Sequence, residues 1–382
     1  MRSLALVSFW VSAGVLGYIY LGYPALVRFL ALLRARPIRR LAGLNPTVTV
    51  VISAYNEERS IRAKLDSVLA LAYPAQLLDV IVASDGSSDA TDRIVESYGC
   101  ERVRLLHVSG RQGKTACQNA AVCAARGDIV VFTDATTLIE RDALGAMVEN
   151  FADPQVGCVA GLLVYRGKGK NLTAAGGVSY WGYEVMLRRA ESQLGTLIGV
   201  SGCLYAVRRS AYRPIAPNLI SDFVIATRIH EQGLRTVLDT RAVCFEDTLD
   251  RSRHELAMRV RVAVRTIAAL AAERKSLDVF ADPLFAWQLW SHKLLRYTSP
   301  YWLMILLASC IVLRATPFYV LALGIEAAIL LAGLAGFVLQ LAAGSSGLLG
   351  KPYYFLLTNV ASVIAMLRYA AGERMVTWNP IR

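Results

Sequence analysis

The stretch from Thr47 to Leu71, TVTVVISAYNEERSIRAKLDSVLAL, reads as the first strand and helix of an α/β domain. Its β-branched run predicts a buried strand, and after the turn at YNEE the apolar residues recur at helical spacing. These residues are Ile61, Leu65, Val68 and Leu69. The following stretch, LLDVIVASDGSSDATDRIVESY, repeats the plan, with a strand at Val80 to Ala83 and a helix from about Ala90. Units of this kind in series predict a parallel sheet.

Two further strands are predicted in RVRLLHV (102–108) and DIVVFTD (128–134). In a parallel sheet the strand C-termini share one edge, where open α/β sheets bind their ligands. Glu57, Asp85 and Asp134 follow three of the strands, so three carboxylates are expected on that edge. A single acid in a turn is common, but three together indicate a site for a cation or a nucleotide. Lys114 lies near them in sequence, and a solvated loop lysine is the alternative.

The composition indicates a membrane protein. Of the 382 residues 55% are hydrophobic, and the net charge is +12. Leu4 to Val27 carries no charge and is long enough to cross a hydrocarbon core of about 30 Å as a retained anchor. The arginines that follow place the next domain in the cytoplasm by the positive-inside rule. They are Arg28, Arg34, Arg36, Arg39 and Arg40.

Three further apolar segments follow the central domain, at Tyr297–Leu313, Ala315–Gly350 and Pro352–Leu367. The first and last are short, so one of them could be tilted or lie in the interface. The C-terminal arginines favour a cytoplasmic C-terminus, whereas three full crossings would leave it outside. The predicted organisation is an anchor (1–33), a basic linker (34–46), a cytoplasmic α/β domain (47–275), an interfacial linker (276–296), a transmembrane region of about three helices (297–370) and a tail (371–382).

The cysteines and charges exclude some classes of protein. Seven cysteines are scattered without a C-x-x-C pair, which argues against a zinc site or a disulfide framework. The positive charge fits a surface on anionic lipid headgroups, a phosphate-bearing substrate, or both. We expect no nucleic-acid partner.

Four motifs resemble glycosyltransferase family 2. They are VISAYNEE, ASDGSSDAT, GKTACQNAA and VFTDATTLIERDAL, in the family's order and spacing. The likeness continues to RHELAMRVRVAVRTIAAL, and the membrane flanks resemble the branch that includes cellulose, hyaluronan and poly-N-acetylglucosamine synthases. The resemblance implies an α/β, Rossmann-like A-type glycosyltransferase fold with flanking transmembrane helices, and sugar transfer with inversion.

The resemblance also implies a donor site. In members of the family, the strand that corresponds to DIVVFTD (128–134) ends in D-x-D. The acids of this motif hold Mg²⁺ or Mn²⁺ against the donor diphosphate. Here Asp134 is kept and Thr136 stands in the second position, so these two residues are the predicted metal site, with Mg²⁺ or Mn²⁺ as the cofactor. One carboxylate plus substrate phosphates can hold such a cation. The implied donor-binding residues are Tyr55, Glu57, Asp85, Lys114, Asp134 and Arg261.

Arg261 corresponds to the arginine of the family's Q-x-x-R-W motif, while Met258 and Val262 replace the Gln and Trp. Arg259 and Arg265 are rivals for the role beside the diphosphate. The alternative is a basic helix that touches lipid headgroups. Its arginines would be Arg251, Arg253, Arg259, Arg261 and Arg265.

Asp222 matches the family's general base, which takes the proton of the attacking acceptor hydroxyl. A helix N-cap is the alternative, and the two roles are compatible. The predicted acceptor-binding residues are Trp181, Tyr183, Glu184 and Gly202. Aromatic residues on a helix are more often core.

Together these features predict a multi-pass enzyme of the cytoplasmic (inner) membrane with its catalytic domain in the cytoplasm. It would move a sugar from a nucleotide-diphosphate sugar to a lipid-linked or glycan acceptor. One alternative is transfer of a single sugar to a membrane lipid, such as a polyprenyl phosphate or a glycolipid precursor. Another is a non-catalytic membrane scaffold of the same fold. The sequence leaves self-association and partner subunits open.

Overall fold

A mixed sheet of eight strands forms the central domain of the computed structural model, which describes residues 1–99, 101–166, 172–247, 252–341 and 348–377. The strands are β1 Val48–Ala54, β2 Leu78–Ser84, β3 Val103–His107, β4 Ile129–Asp134, β5 Leu138–Ile139, β6 Val156–Arg166, β7 Leu204–Arg208 and β8 Arg235–Asp247. The described helices of the central domain are α3 Ile61–Leu69, α4 Thr91–Glu96, α5 Lys114–Ala124, α6 Ala143–Glu149, α7 Leu172–Leu194, α8 Ser221–His230 and α9 Ser252–Ala272. The helices outside it are α1 Arg2–Gly17, α2 Tyr23–Leu33, α10 Pro283–Leu289, α11 Leu295–Val312, α12 Pro317–Leu341 and α13 Gly350–Ala370.

The first half of the sheet confirms the predicted parallel pairing. The strand order is β3-β2-β1-β4-β7-β6-β8-β5, and β1 to β4 are mutually parallel where they pair. The second half is mixed, because β7 runs antiparallel between β4 and β6. The short strand β5 pairs antiparallel with β8. This pairing brings the turn after β4 close to the end of β8. Residues from both halves therefore meet beside the C-terminal end of β4.

Helices cover both faces of the parallel half, and for this reason every residue of β1 is buried. The predicted inner face of α3 is confirmed, since Ile61, Leu65 and Val68 have no exposed area. Lys64 lies on the same face and is equally buried. It donates hydrogen bonds to the Thr133 hydroxyl (2.7 Å) and the Thr137 carbonyl (2.6 Å), so it ties α3 to the turn that follows β4.

Three helices among the described residues are long and apolar enough to cross a membrane: Arg2–Leu33, Pro283–Val312 and Pro317–Gln340. The second begins well before the expected Tyr297, because α10, a π-helical turn and α11 are continuous. The Asp282 side chain caps its first turn by accepting from the Phe285 amide (3.0 Å). His292 and Arg296, which lie within the predicted interfacial linker (276–296), pair with buried carboxylates.

The last helix, α13, packs one face against α7 and α9 of the central domain. Tyr353, Tyr354 and Leu357 lie on that buried face. Beyond α13 the chain returns to the central domain, and the Val376 carbonyl lies 2.5 Å from where a Cβ on Gly113 would stand. The described C-terminal segment is therefore on the same side as the central domain, as the C-terminal arginines favour.

Candidate active site

Two interlocked turns form the rim above β1 and β2. Asn56 has a positive φ of 52°, and its side-chain oxygen accepts from the Ser88 amide (2.8 Å). The Glu57 amide donates to the Thr91 hydroxyl (2.7 Å). Glu57 itself accepts from the Ser60 hydroxyl (2.5 Å). The sequence places acids and hydroxyls here because short polar side chains satisfy turn amides.

Tyr55 and Glu57 lie on this rim, as predicted. The guanidinium of Arg111 sits 3.8 Å above the Tyr55 ring centroid. This cation–π contact draws the loop that follows β3 over the end of β1. Contact of Tyr55 and Glu57 with a donor stays a prediction.

Asp85 is fully buried and holds the loop before α5. Its carboxylate accepts from the Gln112 amide (2.7 Å) and the Gly113 amide (3.0 Å). Gly113 has a φ of 92°, which a residue with a Cβ rarely adopts. The role that the structure shows for Asp85 is to fix the start of α5, and so to aim Lys114. Direct donor contact by Asp85 stays a prediction.

Lys114, Asp134, Asp222 and Gly202 converge at the C-terminal edge of the sheet. The Lys114 ammonium pairs with Asp134. A Cβ on Gly202 would lie 2.7 Å from Lys114 Nζ and 2.7 Å from Asp222 Oδ2. Burial opposes the charge of Lys114, but the charges of Asp134 and Asp222 outweigh burial and raise its pKa. Lys114 is therefore a permanent cation between two carboxylates, and not the solvated loop lysine of the alternative.

Asp222 lies in the first turn of α8, but its side chain does not cap the helix. The N-cap is Ile220 and makes no side-chain cap hydrogen bond. Asp222 Oδ1 accepts from the Ser221 hydroxyl (3.2 Å), while its carbonyl accepts from the Val200 amide (2.7 Å). The backbone is thus fixed against the Gly199–Gly202 turn, and the carboxylate is directed at Lys114 and Gly202.

The three candidate arginines of α9 have different partners. Asp134 and Asp222 act electrostatically on half-buried Arg261, whereas Arg265 is buried and donates to the Leu219 carbonyl (2.7 Å). Arg259 pairs with Glu255 (2.9 Å) and contacts Tyr354 of α13. Among these three rivals, Arg261 is placed to meet an anion beside Asp134. Arg251 and the Arg253 side chain lie outside the described residues.

Three of the four predicted acceptor residues lie on α7, and two of them have packing partners. The Trp181 indole donates to the Leu163 carbonyl (2.8 Å), and Tyr183 packs on the buried cluster around Tyr23. Glu184 is buried, and its carboxylate accepts from His292 (2.8 Å) and Arg296 (3.0 Å). This places Glu184 in an ion cluster that joins α7 to the membrane helix Pro283–Val312. Acceptor contact by these residues stays a prediction.

Replacing Glu184 by Gln is expected to destabilise the fold. The change leaves His292 and Arg296 short of a buried counter-charge, which typically costs about 3–5 kcal/mol. Thermal unfolding in detergent measures the loss. Glu149→Gln is the control, because its partner Arg241 is exposed and such surface pairs contribute little. An unchanged midpoint in Glu184→Gln, together with weaker acceptor binding, would favour the acceptor role instead.

Three residues near the site were not predicted from the sequence. Buried Arg188 of α7 donates to the Gly199 carbonyl (3.3 Å) and lies within the electrostatic reach of Asp222. Lys64 supports the turn after β4, and burial lowers its pKa to about 7. Glu246, at the end of β8, accepts from the Thr136 hydroxyl (3.3 Å), and burial together with the charge of Asp134 raises its pKa. Helix period or strand alternation could not single them out, because their partners are distant in sequence.

Adding a methyl group at Gly202 is expected to impair chemistry more than folding. The Cβ of Gly202→Ala would displace Lys114 Nζ and Asp222 Oδ2, which are flexible side-chain ends that can move. A shift of about 1 Å in reacting groups can cost about a hundredfold in rate. Turnover and thermal unfolding are measured together. Gly145→Ala is the control, because a Cβ there meets no atom within 4 Å. Full activity in Gly202→Ala would contradict the placement of the site.

The oxygen atoms at the end of β4 are suitable ligands for a hard divalent cation. Asp134 and Glu246 offer carboxylate oxygens and Thr136 a hydroxyl, and the Lys114 ammonium shows that a cation is accommodated against Asp134. In the part of the chain that the structure describes, no group of three His, Cys, Asp or Glu side chains is arranged to hold a metal ion. A metal here would therefore need oxygens from a bound phosphate as well.

The fold and the grouped charges define a class. A parallel half-sheet with its acids at the C-terminal edge, extended by an antiparallel strand, is the A-type glycosyltransferase fold, and comparison with solved structures bears this out. A mannosyltransferase from Pyrobaculum calidifontis, solved with GDP-Man and Mn²⁺, aligns over 98% of this chain and 99% of its own with a TM-score of 0.74 and 24% identity. That likeness shows the fold.

The family follows from the sequence match. Residues 49–215 match the model of glycosyl transferase family 2. Poly-beta-1,6-N-acetyl-D-glucosamine synthases of Staphylococcus aureus (strain COL) and Staphylococcus epidermidis are each 26% identical to this chain over 204 residues, or 52% of it. The chain spans about half the length of these curated relatives. The protein carries a glycosyltransferase family 2 domain related to polysaccharide synthases, so the predicted family and fold are confirmed.

Proposed function

We propose that this protein is a membrane-bound inverting glycosyltransferase. It moves a hexosyl or N-acetylhexosaminyl group from a nucleotide-diphosphate sugar to a hydroxyl of a lipid-linked or glycan acceptor. The observation that carries the proposal is the convergence of Asp134, Lys114 and Asp222 around Gly202. Two carboxylates with a fixed cation between them suit a reaction in which one acid faces a diphosphate site and the other a hydroxyl.

In the proposed reaction the acceptor oxygen attacks the anomeric carbon of the donor. The bond from that carbon to the diphosphate oxygen breaks, and its electron pair leaves with the nucleotide diphosphate. Asp222 takes the proton of the attacking hydroxyl as general base. Lys114 and Arg261 lie on the side where the leaving group gains negative charge, and fixed cations there stabilise the transition state.

Asp134 is proposed to hold Mg²⁺ or Mn²⁺, with Thr136 beside it. When bound, the cation would act as a Lewis acid on the donor diphosphate. Tyr55, Glu57 and Asp85 remain the proposed nucleoside-binding group, because all three lie on the rim formed by the turns after β1 and β2. The Lys114–Asp134 ion pair would have to loosen as the cation and diphosphate enter.

The acceptor is proposed to reach the site from the bilayer. Membrane-facing helices flank the central domain on both sides in sequence, and α7 connects the Gly199–Gly202 region with the helix Pro283–Val312 through Glu184. The division of the chain stays a proposal, with the start of the second membrane helix moved to Pro283. Its parts are the anchor (1–33), the basic linker (34–46), the central domain (47–275), the interfacial linker (276–296), the transmembrane region (297–370) and the tail (371–382). We propose that the central domain faces the cytoplasm of the inner membrane.

A second candidate is transfer of one sugar to a membrane lipid. The described residues contain three candidate spanning helices, and one copy of the protein would have few helices from which to build a polymer channel. This favours transfer of a single sugar. The two candidates differ in product size, which gel or mass analysis of the labelled product separates.

The experiment that tests the function is release of nucleotide diphosphate by the detergent-purified protein. UDP-sugars and GDP-sugars are offered with Mg²⁺ or Mn²⁺, with and without a membrane-lipid extract. We expect release from one class of donor, increased by lipid. Folded protein that releases nothing from any donor would favour a non-catalytic scaffold.

A further inference from the structure

We infer that Glu246 supplies the second carboxylate of the divalent-cation site, in place of the acid that the D-x-D spacing would put at Thr136. The inference rests on the proposed function, since it assigns a residue to the metal that the donor diphosphate would share. Glu246 lies 110 positions after Thr136 in the sequence.

The backbone topology brings Glu246 to the turn after β4. The turn after β4 leads into β5, which pairs antiparallel with the end of β8. In this register Leu138 lies opposite Phe245. The residue after Phe245 is therefore carried to the Asp134–Thr137 turn by main-chain pairing, independently of any side-chain contact. A one-residue slip of β8 would turn its side chain to the opposite face.

Side-chain contacts hold the Glu246 carboxylate beside Thr136 and Cys203. Glu246 Oε1 accepts from Thr136 Oγ1 (3.3 Å), and Oε2 accepts from Cys203 Sγ (3.4 Å). Cys203 follows Gly202, where an added Cβ would lie 2.7 Å from both Lys114 Nζ and Asp222 Oδ2. Glu246 is thereby held between the predicted metal position and the centre of the site. The Thr136 hydroxyl and the Cys203 thiol are weak, neutral donors, so neither balances the charge of Glu246.

The local charge around Glu246 favours a bound cation. Asp134 and Glu246 are like charges on one rim, and Lys114, a cation that acts on Glu246, pairs directly with Asp134. A divalent cation at Asp134 would relieve this repulsion and gain a second anionic oxygen ligand, as hard cations prefer. The hydroxyl of Thr136 would then hydrogen-bond to a ligand carboxylate rather than replace one. This explains how the site keeps two acids after one is lost from the motif.

The test measures Mn²⁺ binding rather than turnover. Free Mn²⁺ is followed by electron paramagnetic resonance during titration into purified protein with UDP or GDP. Glu246→Gln is expected to weaken Mn²⁺ binding about tenfold or more. Asp247→Asn, an exposed acid next along β8, is the matched control and should bind as wild type does. Adding Thr136→Asp to Glu246→Gln should restore binding, because it returns a carboxylate to the D-x-D position.

The Mn²⁺ titrations separate a ligand role of Glu246 from the alternatives. Wild-type affinity in Glu246→Gln would overturn the inference and leave the proposed function intact. Nucleotide binding by wild type without any Mn²⁺ dependence would overturn the metal site itself, and the inference with it. If Glu246→Gln does not fold, Glu246→Asp replaces it: weaker Mn²⁺ binding supports the ligand role, and unchanged binding overturns it. Loss of binding that Thr136→Asp cannot restore would indicate a structural role for Glu246.

Discussion

The Asp222→Asn protein is expected to bind its donor normally but to transfer sugar about 10²–10⁴ times more slowly, the usual contribution of a general base. The amide keeps the size of the side chain and its hydrogen bond with Ser221, but it cannot accept the proton of the acceptor hydroxyl. The measurement is turnover at saturating donor, beside a donor dissociation constant from calorimetry.

The control for Asp222→Asn is Asp92→Asn, another acid in the first turn of a helix. If Asp222 acted only through the helix dipole, the two changes would alter stability alike and leave turnover unchanged. Turnover of Asp222→Asn within a fewfold of wild type would remove Asp222 from the reaction.

The Asp134→Asn protein is expected to lose donor binding as well as turnover. The change removes the counter-charge of Lys114 and the main carboxylate of the proposed metal site. We expect the donor dissociation constant in Mn²⁺ to rise by at least about tenfold, and added Mn²⁺ to have little effect on what remains. Titration of the donor with Mn²⁺ and with a chelator, in wild type and variant, measures both effects.

Asp79→Asn is the control for Asp134→Asn. Asp79 also lies on a central strand and pairs with a cation, Arg104 (2.5 Å), but it stands near the start of β2, away from the C-terminal edge. It should lower stability slightly and leave the metal dependence unchanged. An equal loss of metal dependence in both variants would indicate damage to the sheet rather than to a site.

The sequence predicted the parallel half of the fold well because its signals are local. β1 and β2 contain β-branched runs at 48–52 and 80–82, and α3 buries three of the four residues expected from helical spacing. The family motifs fall at the C-terminal ends of β1, β2 and β4 and at the start of α5. Lys114 and Asp134 could be placed together since both follow elements of the same parallel edge.

The sequence could not predict contacts made by distant elements. Glu246 reaches the site through the β5–β8 pairing, and nothing near it in sequence marks it as a partner of Thr136. His292 and Arg296 fall in the segment predicted as an interfacial linker (276–296). Their partners Glu184 and Glu191 lie about a hundred residues away, and the fold joins them as a buried cluster.

In the proposed reaction a single base, Asp222, drives displacement of the nucleotide diphosphate in one step. The anomeric configuration of the first product, read by proton NMR from a wild-type reaction on the identified donor, tests it most directly. One displacement inverts the anomeric carbon, so an α-linked donor should give a β-linked product. A product with the donor's configuration would contradict the account, because retention requires a route other than direct attack by the acceptor.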